Sequence, residues 1–127
     1  MTKKYKLTEN CVERFGVKLF QIQALVAFDT VVAGELGGYI ESEECLSHSG
    51  NAWVYGNARV YGNARVYGNA RVYDDAWVSG NARVSGNAWV YDNAHVYGDA
   101  HVSGDARVYG NARVYGDAWV SSGNTAC

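Results

Sequence analysis

From Asn51 to Ser122 the apolar positions keep one fixed rhythm. Ala and Val stand two apart with one variable residue between them, and three corner residues separate each Val from the next Ala. The phrase is Asn/Asp-Ala-x-Val-Tyr/Ser-Gly, as in Asn57-Ala58-Arg59-Val60-Tyr61-Gly62, and it recurs twelve times without a break. A period this short and strict belongs to a solenoid.

Side chains along a strand alternate faces with a period of two. Ala58 and Val60 therefore point inward together, and Arg59 points out. Tyr61-Gly62-Asn63 must then turn a corner, where Gly accepts positive φ freely and Asn or Asp tolerates it better than most residues. A helix needs apolar spacings of three and four, and a meander needs longer alternation, so neither fits. Three units, eighteen residues, close a triangular coil. Successive coils stack at about 4.8 Å, the usual strand spacing. Twelve units predict four coils around a narrow Ala/Val interior.

Written from Val, the unit is Val-x-x-x-Ala-x, as in Val54-Tyr55-Gly56-Asn57-Ala58-Arg59. This resembles the hexapeptide repeat of the left-handed parallel β-helix superfamily. The resemblance implies an all-β, left-handed triangular parallel β-helix of four to five coils. The handedness comes from the resemblance alone, since the general rule for crossovers predicts right-handed connections.

Residues 5–36 lose the period. Val12-Glu13-Arg14-Phe15, then Gly16, then Val17 to Phe28 predict a β-hairpin, with Phe20, Ile22 and Ala24 on one apolar face. Ile40 and Leu46 fall twelve and six positions before Ala52, which places them at the Ala position of a degenerate first coil. The expected organisation is an N-terminal hairpin cap over 1–37, the coil over 38–122 and a flexible tail over 123–127. Solenoids need atypical terminal units for solubility, because an open strand edge invites association. Leu36-Gly37-Gly38-Tyr39-Ile40-Glu41-Ser42 and Leu46 to Tyr55 also resemble the opening of YdcK-type hexapeptide proteins of bacteria and phages. That resemblance supports the cap and supplies no catalytic residue. The C-terminal edge, by contrast, is expected to be exposed.

Composition narrows the function classes. The 127 residues suit one domain, and a net charge of -2 favours neither nucleic acid nor an anionic membrane. Six repeat Arg balance six repeat Asp. Cys11, Cys45 and Cys127 have no metal spacing and predict reduced thiols in a cytoplasmic setting. No signal-like or membrane-spanning apolar run is present in the sequence. Proline is absent, which suits uninterrupted ladders.

With eighteen residues per coil, the outward positions sort into three columns. Face one carries Trp53, Arg71, Trp89 and Arg107 beside a Tyr column of Tyr55, Tyr73, Tyr91 and Tyr109. Face two carries Arg59, Trp77, His95 and Arg113, and face three Arg65, Arg83, His101 and Trp119. Face one is the candidate binding surface, since aromatic and Arg side chains dominate binding hot spots and Arg can lie on indole. The competing reading is that these residues are good strand formers whose stacking supports the coil.

Chemistry has fewer candidates. Hexapeptide acyltransferases use a His as general base, which points to His95 and His101. Those enzymes also build their sites from a loop excursion and a trimer interface, and no loop interrupts 51–122. Asp74, Asp75 and Asp92 stack at one corner and are the candidate ligands for a cation such as Ca²⁺. The remaining Asn/Asp corners are expected to bond their own turn backbones. Thr is too sparse for an ice-binding ladder.

The expected function is a non-catalytic interaction module, phage-encoded by resemblance, with no cofactor and no metal. It would bind a protein partner or a second copy through face one or the C-terminal edge. The alternatives are an acyl-CoA-dependent acyltransferase with an intersubunit site, and a glycan-binding surface using Trp53 and Trp89.

Overall fold

A computed structural model describes residues 3–14, 16–28, 31–48, 50–121 and 123–126. The chain is an all-β parallel β-solenoid of about four turns, and its only helical element among the described residues is a 3-10 turn at Glu43–Cys45.

Strands are numbered in chain order. β1 (Tyr5–Arg14) and β2 (Val17–Ala24) form an antiparallel hairpin, turning at Gly16 with φ 77°. β2 pairs antiparallel with β3 (Leu36–Ile40), which pairs parallel with β5 (Arg59–Val60). The hairpin thus continues one face of the solenoid as its outermost strands. That face adds β8 (Trp77–Val78), β11 (His95–Val96) and β14 (Arg113–Val114). A second sheet stacks β4 (Trp53–Val54), β7 (Arg71–Val72), β10 (Trp89–Val90), β13 (Arg107–Tyr109) and β16 (Asn124–Ala126). The third stacks β6 (Arg65–Val66), β9 (Arg83–Val84), β12 (His101–Val102) and β15 (Trp119–Val120).

The parallel register is eighteen residues, with Trp53 opposite Arg71 and Val54 opposite Val72. Ala and Val of successive units are buried from Ala52 to Val114, so the interior is a column of small and branched side chains. Each corner is a tight turn in which the Ala N–H bonds back to the Tyr or Ser carbonyl, as Ala58 does to Tyr55 at 3.1 Å. Gly56, at φ 57°, takes the first central position of that turn. Asp74 and Asp92 replace Gly there and hold φ of 59° and 60°, a strained region that Asp reaches more readily than bulkier residues.

Two expectations are corrected. Ile40 pairs with Val60 and Leu46 with Val66, so both occupy the Val column, not the Ala column. Leu46 to Val66 is twenty positions (66 − 46), whereas Val54 to Val72 is eighteen (72 − 54). The corner between Leu46 and Trp53 therefore holds two extra residues, and counting back by sixes through it lands on the wrong column. The second correction concerns the tail: residues 124–126 form β16, which pairs with β13 through Arg107↔Asn124, Val108↔Thr125 and Tyr109↔Ala126. This pairing is offset by seventeen residues (124 − 107), one short of the eighteen of the regular coils, so the hexapeptide phrase does not mark it.

The last coil is the least covered. Ala118 is exposed, Val120 is half-buried and Trp119 is 73% exposed, whereas their counterparts one coil earlier, Ala100 and Val102, are buried. Cys11 and Cys45 are free thiols, and Cys127 lies outside the described residues.

Candidate interaction face

The three predicted columns are the three sheets. Trp53, Arg71, Trp89 and Arg107 are direct register partners along face one. His95 and His101 stand in different sheets, which separates them.

Face one is built around Trp89. The Arg71 guanidinium carbon lies 5.4 Å from the Trp89 ring centroid and that of Arg107 lies 4.8 Å away, one from each neighbouring coil. Such contacts are worth roughly 0.5–1 kcal/mol each at exposed sites. Beside them Tyr73 and Tyr91 stack at 4.9 Å, and Tyr91 and Tyr109 at 5.3 Å, both near-parallel. Tyr55 meets Tyr73 edge-on at 6.2 Å and packs on the core. Burial, then the neighbouring Tyr91, Asp74 and Asp92, push the Tyr73 hydroxyl up to about 12. Tyr73 therefore presents a neutral hydroxyl at ordinary pH. Two shallow depressions share Arg71 and Trp89 as walls. The larger, of about 470 Å³, is also lined by Tyr55, Tyr73 and Asp74.

Trp53 does not belong to this surface, which corrects its place among the binding residues. It is completely buried, with Phe28 edge-on at 5.3 Å and Tyr5 at 6.1 Å. The N-terminal segment lies over the first coil and takes its Trp into the core. A glycan platform of paired Trp53 and Trp89 is therefore not present.

The other aromatic residues are also stacked along the coil axis. On face two Arg59 lies over Trp77 at 5.6 Å and Trp77 meets His95 at 5.1 Å. Burial, then Arg113, lower the His95 pKa, which favours its neutral imidazole. On face three His101 stacks on Trp119 at 4.7 Å. Neither His has a side-chain acid to orient it among the described residues.

At the acidic corner, Oδ2 of Asp74 accepts the N–H of Asp92 at 3.3 Å, and Oδ2 of Asp92 accepts that of Gly110 at 3.1 Å. Each carboxylate is thus engaged with the backbone of the next coil. Asp75 lines the same depression. No group of three His, Cys, Asp or Glu side chains suited to a metal occurs among the described residues.

The Asn corners differ from expectation. Their side chains bond one another between coils: Asn63 to Asn81 at 3.1 Å, Asn81 to Asp99 at 3.1 Å, Asn69 to Asn87 at 3.2 Å and Asn87 to Asp105 at 3.3 Å. An amide both donates and accepts, so identical residues stacked in register form a ladder, and an Asp, which only accepts, ends it.

Sequence reasoning missed one cluster, at the capped end. His48 Nε2 lies 2.8 Å from Glu43, its Nδ1 accepts the N–H of Lys4 at 3.1 Å, and its ring stacks on Tyr5 at 4.1 Å. The two extra residues of the irregular corner carry His48 there. The break in the period was the available signal.

These features define a β-solenoid repeat protein. The family model described as YdcK Beta solenoid repeat matches residues 52–66, 64–80, 76–92 and 106–122, all within the coil. The chain is similar to that family over those segments. No curated protein matches the chain. No helix of the described residues is long and apolar enough to cross a membrane.

Proposed function

We propose that this solenoid is a non-catalytic interaction module that docks a protein partner, or a second copy of itself, on face one around Trp89. The observation that carries this reading is the Arg71–Trp89–Arg107 sandwich beside the stacked Tyr73, Tyr91 and Tyr109. It combines rigid aromatic area with cationic donors, the composition of binding hot spots. The stacking fixes side chains before a partner arrives, which lowers the entropy lost on binding. A left-handed coil, a phage source and a cytoplasmic setting belong to the same reading, supported by the hexapeptide phrase and its resemblances.

The test is solution mass by light scattering over a hundredfold concentration range, with Trp89→Ala/Arg71→Ala as the comparison and circular dichroism as the check on folding. A concentration-dependent dimer that the folded double variant loses supports self-association on this face. A dimer that the variant keeps removes face one from the proposal. A strict monomer leaves the protein-partner form, tested by whether the variant loses partners cross-linked to the wild type through a photoreactive residue at Tyr91. A stable trimer instead favours the acyltransferase reading with His95 or His101 at a shared cleft. That reading requires acyl-CoA binding that changing those His residues alters.

A further inference from the structure

Face three is built differently from the other two. On faces one and two, Arg59, Arg71 and Arg107 each lie over a Trp ring. On face three, Arg65 and Arg83 are direct register partners, and both are exposed. They form the one Arg–Arg register pair among the described strands. Neither makes an ion pair or lies over a Trp, Tyr or Phe ring among the described residues, and His101 stands opposite Arg83 on its other side. Neighbouring strands lie about 4.8 Å apart, and like charges directly opposite one another destabilise a sheet.

These two Arg side chains line an open cleft of about 760 Å³ against the irregular corner of the first coil. Glu43, His48, Tyr67 and the side-chain-free Gly50 and Gly68 form other parts of its wall. The acid closest in kind to a partner for the Arg pair is already committed. Glu43 bonds His48 at 2.8 Å and Lys3 at 3.3 Å, which hold its carboxyl below the usual range. Glu44 also lines the cleft, so its negative charge disfavours an extended polyanion more than a small anion seated on the Arg pair.

We propose that Arg65 and Arg83 bind a small dianionic oxyanion, a phosphate group held free or as a phosphomonoester. Each guanidinium is a planar fork that donates two parallel N–H bonds to such oxygens. A single carboxylate fills one fork and balances one charge. A phosphate dianion has oxygens for both forks and cancels the repulsion between them. The site is independent of face one, because its residues belong to a different sheet.

The test is an amide-detected NMR titration of the ¹⁵N-labelled chain with inorganic phosphate and, separately, with phosphoserine at constant ionic strength. Saturable shifts centred on Arg65, Arg83 and Gly68 are expected. Arg65→Gln and Arg83→Gln each weaken them about tenfold, a 1.4 kcal/mol effect. Arg113→Gln, on face two, leaves them unchanged. Equal affinity for the two probes assigns recognition to the phosphate group alone, and tighter phosphoserine binding assigns part of it to the cleft wall. Absence of saturable shifts at millimolar probe overturns the site, as do shifts that persist unweakened in both Arg variants. Both positions are exposed, so the variants keep the fold, and their unperturbed amide spectra verify it.

Discussion

The Nζ of Lys4 lies 2.6 Å from the carbonyl oxygen of Ala52 and 3.4 Å from that of Gly50. In each later coil of this face the Ala carbonyl accepts an N–H from the coil before it: Trp53 donates to Ala70, Arg71 to Ala88 and Trp89 to Ala106. Ala52 opens the face and has no such coil, so the ammonium replaces the missing N–H. Tyr5 does the same on face three. Its hydroxyl donates to the Leu46 carbonyl at 2.5 Å, where the equivalent carbonyls of Val66 and Val84 accept from Ser47 and Tyr67. Face two is finished by backbone, with Tyr39 donating to Ala58 and Glu41 to Val60. One strand and two adjacent side chains thereby close the open edge that every β-solenoid presents.

The buried ammonium makes stability depend on pH in a defined window. Burial lowers the Lys4 pKa from 10.5 to about 8. Between those values the unfolded chain holds a proton that the fold has released, so stability rises with pH and is lost as pH falls through 8. Burial raises the Tyr5 hydroxyl above its ordinary 10.0, so the fold retains a proton that the unfolded chain loses, and stability declines beyond that point. The maximum is expected between these limits, after a rise on the order of 2–3 kcal/mol at about 1.4 kcal/mol per pH unit. Urea denaturation across pH checks it. Lys4→Met should flatten the rise, and an unchanged rise in that variant would remove Lys4 as its source.

Tyr5→Phe keeps the ring on His48 and Trp53 and removes only the hydroxyl. The Leu46 carbonyl, at a fully buried residue, then has no donor in place of the missing coil. The expected loss is about 1–3 kcal/mol, the cost of leaving a buried acceptor unmade. An equal substitution on an outer stack, Tyr109→Phe, should change the urea midpoint little. Similar losses for the two would mean that the hydroxyl on Leu46 has no special weight.

How far the sequence carried differs along the chain. From Ala52 to Val114 the hexapeptide phrase states both which side chains are inside and which columns they join, because one residue type fills each inward position and the register never slips. The three faces were legible for that reason. The capped end was not. Its register depends on a corner two residues longer than the rest, so Ile40 and Leu46 moved to the Val column. Trp53 occupies an outward position in the phrase and is buried only because Tyr5 and Phe28, far off in sequence, lie over it. Of the candidate site, residue identity showed the Arg/Trp/Tyr column. It could not show that its first member was covered, nor that Arg65 and Arg83 face an open cleft.

The burial of Trp53 gives a sharper expectation than truncation alone. Its Nε1 is buried without an acceptor among the described residues. Trp53→Ala removes the whole ring from beneath Tyr5 and Phe28 and should cost about 3–5 kcal/mol. Trp53→Phe removes the unpaired N–H along with part of the ring, so relief of the polar penalty offsets some lost packing. A loss well under half that of the Ala variant is expected in chemical denaturation. Equal losses would show that the indole N–H finds a partner in solution.

Two glycines at equivalent corners separate backbone conformation from close packing. Gly86 has φ 65°, and a Cβ there would lie 2.8 Å from the Gly104 nitrogen of the next coil. Gly116 has φ 64° and no atom within 4 Å of the same position. Gly116→Ala should therefore cost only the left-handed conformation, roughly 1–2 kcal/mol. Gly86→Ala must in addition push two backbones apart, and neither is a side chain that can rotate away. Its cost should clearly exceed that of Gly116→Ala, with lost hydrogen-exchange protection at the Asn87 amide, which bonds the Gly104 carbonyl at 2.8 Å. Thermal denaturation of the two variants side by side decides it. Equal costs would mean that the coils have slack at their corners and that glycine is required there for its φ alone.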